Sequence, residues 1–497
     1  MSLDRRSVLK SSAAAAVAAG PFAGLVAESA AAFRPPDPTR LLPIPDKRDG
    51  KVRLHLPRGF SYRSFHDTEF PVVLDDGTEL PGRHDGMGAF RGPNGNVILV
   101  RNHEITNLGN PRAFGPGTPY DPAAGAGTTT IEVTKYGEVQ DAYTSLNGTM
   151  FNCSGGIMPW GSWVTCEETV NGPDVGPDFQ GSPNAGLKQP HGYVFEVPKD
   201  GQSERQPITH AGRFAHEAVS FDPVDGILYL TEDNFEFPSG FYRYIPPSNP
   251  MKTGRLEDGG RLQMLAIKGR RNAHLERRWK RGSTWDVRWV DIDDPDFRGD
   301  YNHVTGQGTT NDQALVMVGD QGRAQGAALF SRLEGQVFDD NVVYFTSTQG
   351  GGPKEDDSDD DNTDGFGRGN GQVWAYHCRS RKLRLVYQAP LDDIRANRRF
   401  DFPDNITTSP RGTLVVCEDS SIDNYIRGLS PRGQLWDIAL NRLVSQIALP
   451  DGTFPTRFGD EFAGSTFSPD GHTLFVNIQA SKGMTFAIWG PWKRIGV

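Results

Sequence analysis

The sequence predicts an all-β fold, a six-bladed β-propeller with loop insertions, and three observations predict it. One short strand motif occurs six times, an aromatic strand follows most copies, and turn residues punctuate the whole chain, with 58 Gly and 36 Pro in 497 residues. The copies are Asn96–Glu104, Gly161–Glu168, Gly226–Asp233, Asn341–Thr348, Gly412–Asp419 and Gly471–Ile478, each an apolar run closed by polar, mostly acidic residues. Their spacing is roughly 60 to 70 residues with one gap of about 115, the pattern of four-stranded units set radially. A β-sandwich gives no reason for six matched copies.

Three copies follow an Asp-Pro or Ser-Pro turn, at Phe221–Gly226, Thr408–Gly412 and Phe467–Gly471. Proline presets the first turn dihedral and glycine the permissive one, so these are hairpin connections. The aromatic strands are Gly192–Val197, Gly240–Ile245, Gly371–Tyr376, Gly433–Ile438 and Met484–Trp489, with Thr128–Val133 in that place after the first copy. Two segments break the pattern. Residues 252–312 carry a basic cluster around Lys268–Arg271 and Arg277–Arg281 and are expected to form an inserted loop or subdomain over one end of the propeller. Residues 352–370 hold the acidic run Glu355–Asp364, expected to be a surface loop; its spacing lacks the terminal Glu of a calcium-binding loop.

The N-terminus reads as an export signal. Arg5 and Arg6 precede an Ala/Gly-rich apolar stretch from Ser11 to Ala27, and Ala30-x-Ala32 supplies a small-residue cleavage site. Residues 1–32 are therefore expected to be a twin-arginine signal peptide and residues 33–497 a single propeller domain, a monomer, periplasmic or secreted, with the twin-arginine machinery as its export partner. No later stretch is long and apolar enough to serve as a membrane anchor. A formal net charge of -10 argues against nucleic acid. Four cysteines, at 153, 166, 378 and 417, are too few for a disulfide scaffold.

The chemistry is expected just ahead of each motif. Some 13 to 16 residues before the acidic strand end a second polar cluster recurs: Cys153 with Glu167, His216-Glu217 with Glu232, Arg332-x-Glu334 with Ser347, Asp404-Asn405 with Glu418, and Glu461 with Asn477. The first repeat has Asp85 ahead of Asn102, His103 and Glu104. A propeller brings equivalent positions to one axis, where crowded carboxylates raise one another's pKa and multivalent cations are the usual compensation. Each acid alone reads equally as a turn cap or a surface ion pair; the phasing makes them a ring. The candidate metal ligands are Cys153, Glu217, Glu334, Asp404, Glu104, Glu167, Glu232 and Glu418. Cys166 and Cys417 directly precede Glu167 and Glu418, so strand alternation turns their thiols away from those acids and into the core. Cys153 lies instead in the glycine-permissive stretch Asn152–Gly156, at the cluster position. Arg332 shares a strand face with Glu334, and the two are the candidate catalytic pair: an arginine fork beside a metal cluster suits phosphate, while a structural salt bridge between them is the alternative. No Ser-His-Asp order is present, so metal-assisted hydrolysis is the economical reading.

Taken together, His84–Phe90, Arg101–Glu104, Asn152–Gly156 with Pro159–Glu168, Arg213–Ala218, Gln325–Gly335, Phe402–Asn405 and Phe462–Ser465 resemble the PhoX-type alkaline phosphatase family across nearly the whole chain. The resemblance implies an exported, metal-dependent phosphomonoesterase that releases phosphate from small phosphate esters, with a bridged pair of Fe3+ ions and Ca2+ ions as cofactors. By motif, Cys153 would ligate iron, Glu217, Glu334 and Asp404 would be cluster carboxylates, and Arg332 would hold phosphate. The residues alone leave two other classes open, a calcium-dependent propeller hydrolase of the lactonase or phytase kind and a non-catalytic exported binding protein.

Overall fold

A computed structural model describes residues 40–106, 112–248, 254–353, 366–391 and 400–497. The expected signal at 1–32 and most of the expected acidic loop at 352–370 lie outside them. Each of the six sequence motifs forms the second strand of an antiparallel sheet, at Val97–His103, Ser162–Glu167, Ile227–Glu232, Val342–Ser347, Leu414–Glu418 and Thr473–Gln479. The strand ahead of each is its partner: His84–Arg91, Asn152–Met158, His216–Asp222, Leu333–Asp339, Pro403–Thr408 and Glu461–Phe467.

These first strands pack on one another in cyclic order, and the sixth packs against the first. An apolar layer fills the space between every neighbouring pair of sheets. Leu228 and Leu230 point into one such layer and Tyr229 into the next. Both faces of each sheet are thus covered, which is why the motifs read as continuous apolar runs rather than alternating ones. The result is an all-β, propeller-like molecule.

The ends of the chain close the ring. Ser61–Phe65 pairs with Met484–Trp489, so an N-terminal strand completes the C-terminal sheet. Two details differ from the sequence reading. The aromatic strand at 433–438 is the fourth of its sheet, Leu435–Asn441, because Tyr425–Leu429 intervenes. Residues 252–312 contribute two sheet strands: Arg261–Ile267 completes the third sheet, and Thr284–Asp291 bridges it to the outer strand Lys382–Gln388. Leu262, Met264 and Ala266 of the former face one apolar layer and Leu265 and Ile267 the other, so burial outweighed the basic flanks. The segment leads into the helix Asn311–Ala324, whose first turn is fixed by a capping box between Thr310 and Gln313. Among the described residues no helix is long and apolar enough to cross a membrane.

Candidate metal centre

The same backbone irregularity occurs in all six of these strand pairs. The register between first and second strand slips so that two residues of the first stand opposite one of the second. Such a bulge bends the strand and re-aims a side chain. The leading residues of the six bulges are Asp85, Cys153, Glu217, Glu334, Asp404 and Gly464, five of them potential metal ligands. Four of the five are approached through a non-glycine residue of positive φ two positions earlier, Arg83 (47°), Phe151 (51°), Arg332 (44°) and Phe402 (44°), the kind of strain that collects at functional sites.

The second bulge residue is small in five of the six, Asn405 being the exception, and neighbouring sheets meet there. A Cβ on Gly86 would stand 2.5 Å from the Cα of Ser154, and one on Gly335 would stand 2.8 Å from the Cα of Asn405. Side chains from the second strands then tie the carbonyls of four of the five ligand residues to the sheet before. Asn102 donates to Cys153 O at 2.9 Å, Thr231 to Glu334 O at 2.7 Å, Thr346 to Asp404 O at 2.5 Å and Asn477 to Asp85 O at 2.5 Å.

Around the axis these bulges meet the residues just past the second strands. Among the described residues three groups have ligand atoms within 4.8 Å of one another: Glu104, Cys153 and Glu168; Glu217, Glu334 and Asp404; and Asp404, Asp419 and Glu461. Asp404 is common to the last two. Cys153 Sγ donates to Glu168 Oε2 at 2.6 Å. Arg332 Nη2 lies 2.8 Å from Asp233 Oδ2 and 3.1 Å from Glu334 Oε1, and Thr348 Oγ1 donates to Glu334 at 2.9 Å. Arg83 approaches Glu104 at 3.6 Å.

Carboxylates outnumber the arginines here, and the protonation equilibria respond. Burial, then the neighbouring acids, push Asp85, Glu168, Glu217, Glu334 and Glu461 well above the usual carboxylate range. Burial raises Asp404 to about 8, with Asp419 adding to it, and raises Glu104 to about 7 against the pull of Arg83. Burial and the same acids hold the Cys153 thiol protonated. Burial opposes the charge on Arg332, yet Asp233 and Glu334 keep it firmly cationic. A buried array that must protonate unless positive charge arrives is what a multivalent cation site looks like from the protein's side.

Of the expected ligands, the structure gathers Cys153, Glu104, Glu217, Glu334 and Asp404. It does not gather Glu167, Glu232 and Glu418. Those three are the last residues of their strands and turn into the sheet, where each binds the start of the third strand. Glu167 accepts from Gly192 N at 2.9 Å and Tyr193 N at 3.1 Å, Glu232 from Gly240 N at 2.8 Å, and Glu418 from Tyr425 N at 3.1 Å. The axial position belongs to the next residue, Glu168, Asp233 and Asp419. The doubled acids Glu167-Glu168, Glu232-Asp233 and Glu418-Asp419 carried that signal, since alternation admits only one of each pair to the axis. Cys166 and Cys417 are fully buried in the apolar layers, as expected.

Comparison with known proteins fits this geometry. The family profile of alkaline phosphatase PhoX matches residues 39–144 and 138–482. The chain belongs to the PhoX alkaline phosphatase family. Pseudomonas fluorescens PhoX, solved in complex with vanadate, a transition state analogue, is similar with a TM-score of 0.62 at 16% identity, over 88% of this chain and 96% of that one. A virginiamycin B lyase from Staphylococcus aureus aligns at TM-score 0.37 and 12% identity, over 86% of this chain and 99% of that one. A gluconolactonase from Xanthomonas campestris aligns at 0.36 and 12%, over 90% and 96%. No curated protein matches in sequence. The PhoX relationship makes this chain a phosphomonoesterase.

Proposed function

We propose that the chain is an exported, six-bladed propeller whose PhoX-type phosphatase activity runs on metal ions held at the bulge ring. The thiol-containing group Glu104, Cys153 and Glu168 suits a transition metal, the ferric pair expected of the family, and the all-oxygen groups formed by Glu217, Glu334, Asp404, Asp419 and Glu461 suit calcium as well. Bound cations would offset the carboxylate charge and polarise a phosphoryl oxygen. The single observation that carries this reading is the convergence of the leading residues of five bulges and the acids of four strand ends on one buried axis.

The chain's own groups do the rest. Arg332, steered by Asp233 and Glu334, presents guanidinium N–H groups toward the array and donates to phosphoryl oxygens. Glu334 positions Arg332 as well as serving as a ligand. Cys153, which donates its thiol proton to Glu168, would hold a metal as the thiolate, and Glu168 is the group placed to take that proton. Arg5 and Arg6 direct the folded protein to the twin-arginine route.

The test is metal counting on protein exported in folded form, together with an aryl phosphate assay with and without chelator. Iron with calcium and chelator-sensitive release of phosphate are expected. Cys153→Ala should lose the visible ferric-thiolate colour and most activity while Cys166→Ala keeps both. Calcium alone, or equal activity in the two variants, would overturn the assignment.

A further inference from the structure

A cavity of about 340 Å³, the size of a small-ligand site, opens directly beside the metal centre. Glu168 and Asp233 form its inner end, and Val170, Phe179, Phe235 and Leu315 are among its walls. Phe179 and Phe235 are 64% and 56% exposed, unusual for large aromatic side chains. Their rings stack at 6.2 Å with 25° between planes, and the guanidinium carbon of Arg332 sits 4.1 Å from the Phe235 ring centroid. Phe235 thus joins the cavity wall to Arg332, which does not itself line the cavity.

The polar groups of the wall are engaged with one another. Asn171 Oδ1 accepts from Asn311 at 3.0 Å and Asn184 at 3.3 Å, and Asn234 Nδ2 donates to Glu232 at 3.2 Å. What the cavity offers a ligand is phenyl faces. The exposed acids Glu236 and Asp312 also line it, with no lysine or arginine among the lining residues, so a second phosphate on the leaving group would be repelled.

We propose that this cleft binds the alcohol portion of the substrate, and that the preferred esters are monophosphates of uncharged, planar aromatic alcohols, stacked on Phe179 and Phe235 while the phosphoryl group faces Arg332. The proposal rests on the phosphatase reading for where the phosphoryl group sits. Recognition by stacking without committed hydrogen bonds gives selectivity for ring against chain, not for one ring against another.

The experiment compares phenyl phosphate, glycerol 3-phosphate and phosphocholine on the metal-loaded protein and on Phe179→Ala, Phe179→Trp and Phe235→Leu. Comparing ratios of kcat/KM between proteins cancels the intrinsic reactivity of each ester. The phenyl-to-glycerol ratio should fall by about three- to tenfold in Phe179→Ala and Phe235→Leu and be retained in Phe179→Trp. Calorimetry adds a readout free of turnover: phenylphosphonate should bind more tightly than methylphosphonate, and the gap should close in Phe179→Ala. A ratio unmoved in both variants, with no gap between the phosphonates, overturns the proposal. So does a fall confined to phosphocholine, which would make the cleft a cation cage. If no ester is hydrolysed but the phosphonate gap depends on Phe179, the cleft stands and the phosphatase reading fails.

Discussion

Exchanging the two acids of one strand end separates folding from chemistry. Glu167 Oε1 accepts from Met150 N at 3.0 Å and from His191 Nδ1 at 2.6 Å, and Oε2 accepts from Gly192 N at 2.9 Å and Tyr193 N at 3.1 Å. In Glu167→Gln an amide keeps an acceptor for only one of these donor pairs and turns its own N–H groups on the other. Two hydrogen bonds to a charged acceptor, at about 1.5–3 kcal/mol each, give a loss of about 3–6 kcal/mol, a large share of the roughly 5–15 kcal/mol that holds a domain together. Glu168, one residue on, contacts the Cys153 thiol, and burial with the neighbouring acids already favours its neutral form, so Glu168→Gln leaves metal-free stability close to unchanged. Urea unfolding of chelator-treated proteins, with metal content measured before treatment, reads both effects. Glu167→Gln should unfold at lower urea, and Glu168→Gln should keep its midpoint and lose metal. The reverse pattern would refute the register of the ligand ring.

Metal removal should lower the Tm of the wild type, and returning the ion should restore about 2.7 kcal/mol at a free concentration of 100 Kd. A Tm indifferent to chelator would argue against resident cations. His191 is buried between Glu167 at 2.6 Å and Asp121 at 3.6 Å, with the Tyr120 ring edge-on. Burial opposes its charge, but these two acids raise it to about 9. Its folded value exceeds the usual 6.5, so the stabilisation, about 3 kcal/mol at most, is complete below pH 6.5 and disappears as pH rises through about 9. The stability difference between wild type and His191→Gln, followed by unfolding at stepped pH, should shrink over that window. Thr346→Val frees the Asp404 carbonyl and should cost about 1–2 kcal/mol with weaker calcium retention by equilibrium dialysis.

The ring of strands was legible because burial on both faces writes long apolar runs such as Asn341–Phe345, and six of them share one spacing. Arg261–Ile267 was not, since it carries Arg261 and Gln263 and runs directly into the basic Lys268–Arg271; what makes it a sheet strand is the pair of apolar layers that bury its inner positions. At the site, Cys153, Glu217, Glu334 and Asp404 stood out by their fixed distance from the strand end. Choosing between Glu167 and Glu168, Glu232 and Asp233, or Glu418 and Asp419 required the register, and the register is set by where the third strand begins. Gly192, Gly240 and Tyr425 decide which acid is drawn into the sheet, through backbone N–H groups that sequence does not display.

The bulge explains how so many charges share one axis without unravelling the fold. In a regular strand the leading residue and its neighbour would point to opposite faces, and both faces are already filled by apolar layers. Two residues against one release the first from that alternation and aim it along the axis, while a small second residue lets adjacent strands approach. The carbonyl of the ligand residue, displaced from the ladder, is recovered by Asn102, Thr231, Thr346 or Asn477 of the preceding sheet. Cohesion therefore comes from the six apolar layers and the carbonyl ties, and the ligand side chains contribute little to it. Ligands can be replaced one at a time with the fold intact, which is the condition for reading their loss as chemistry.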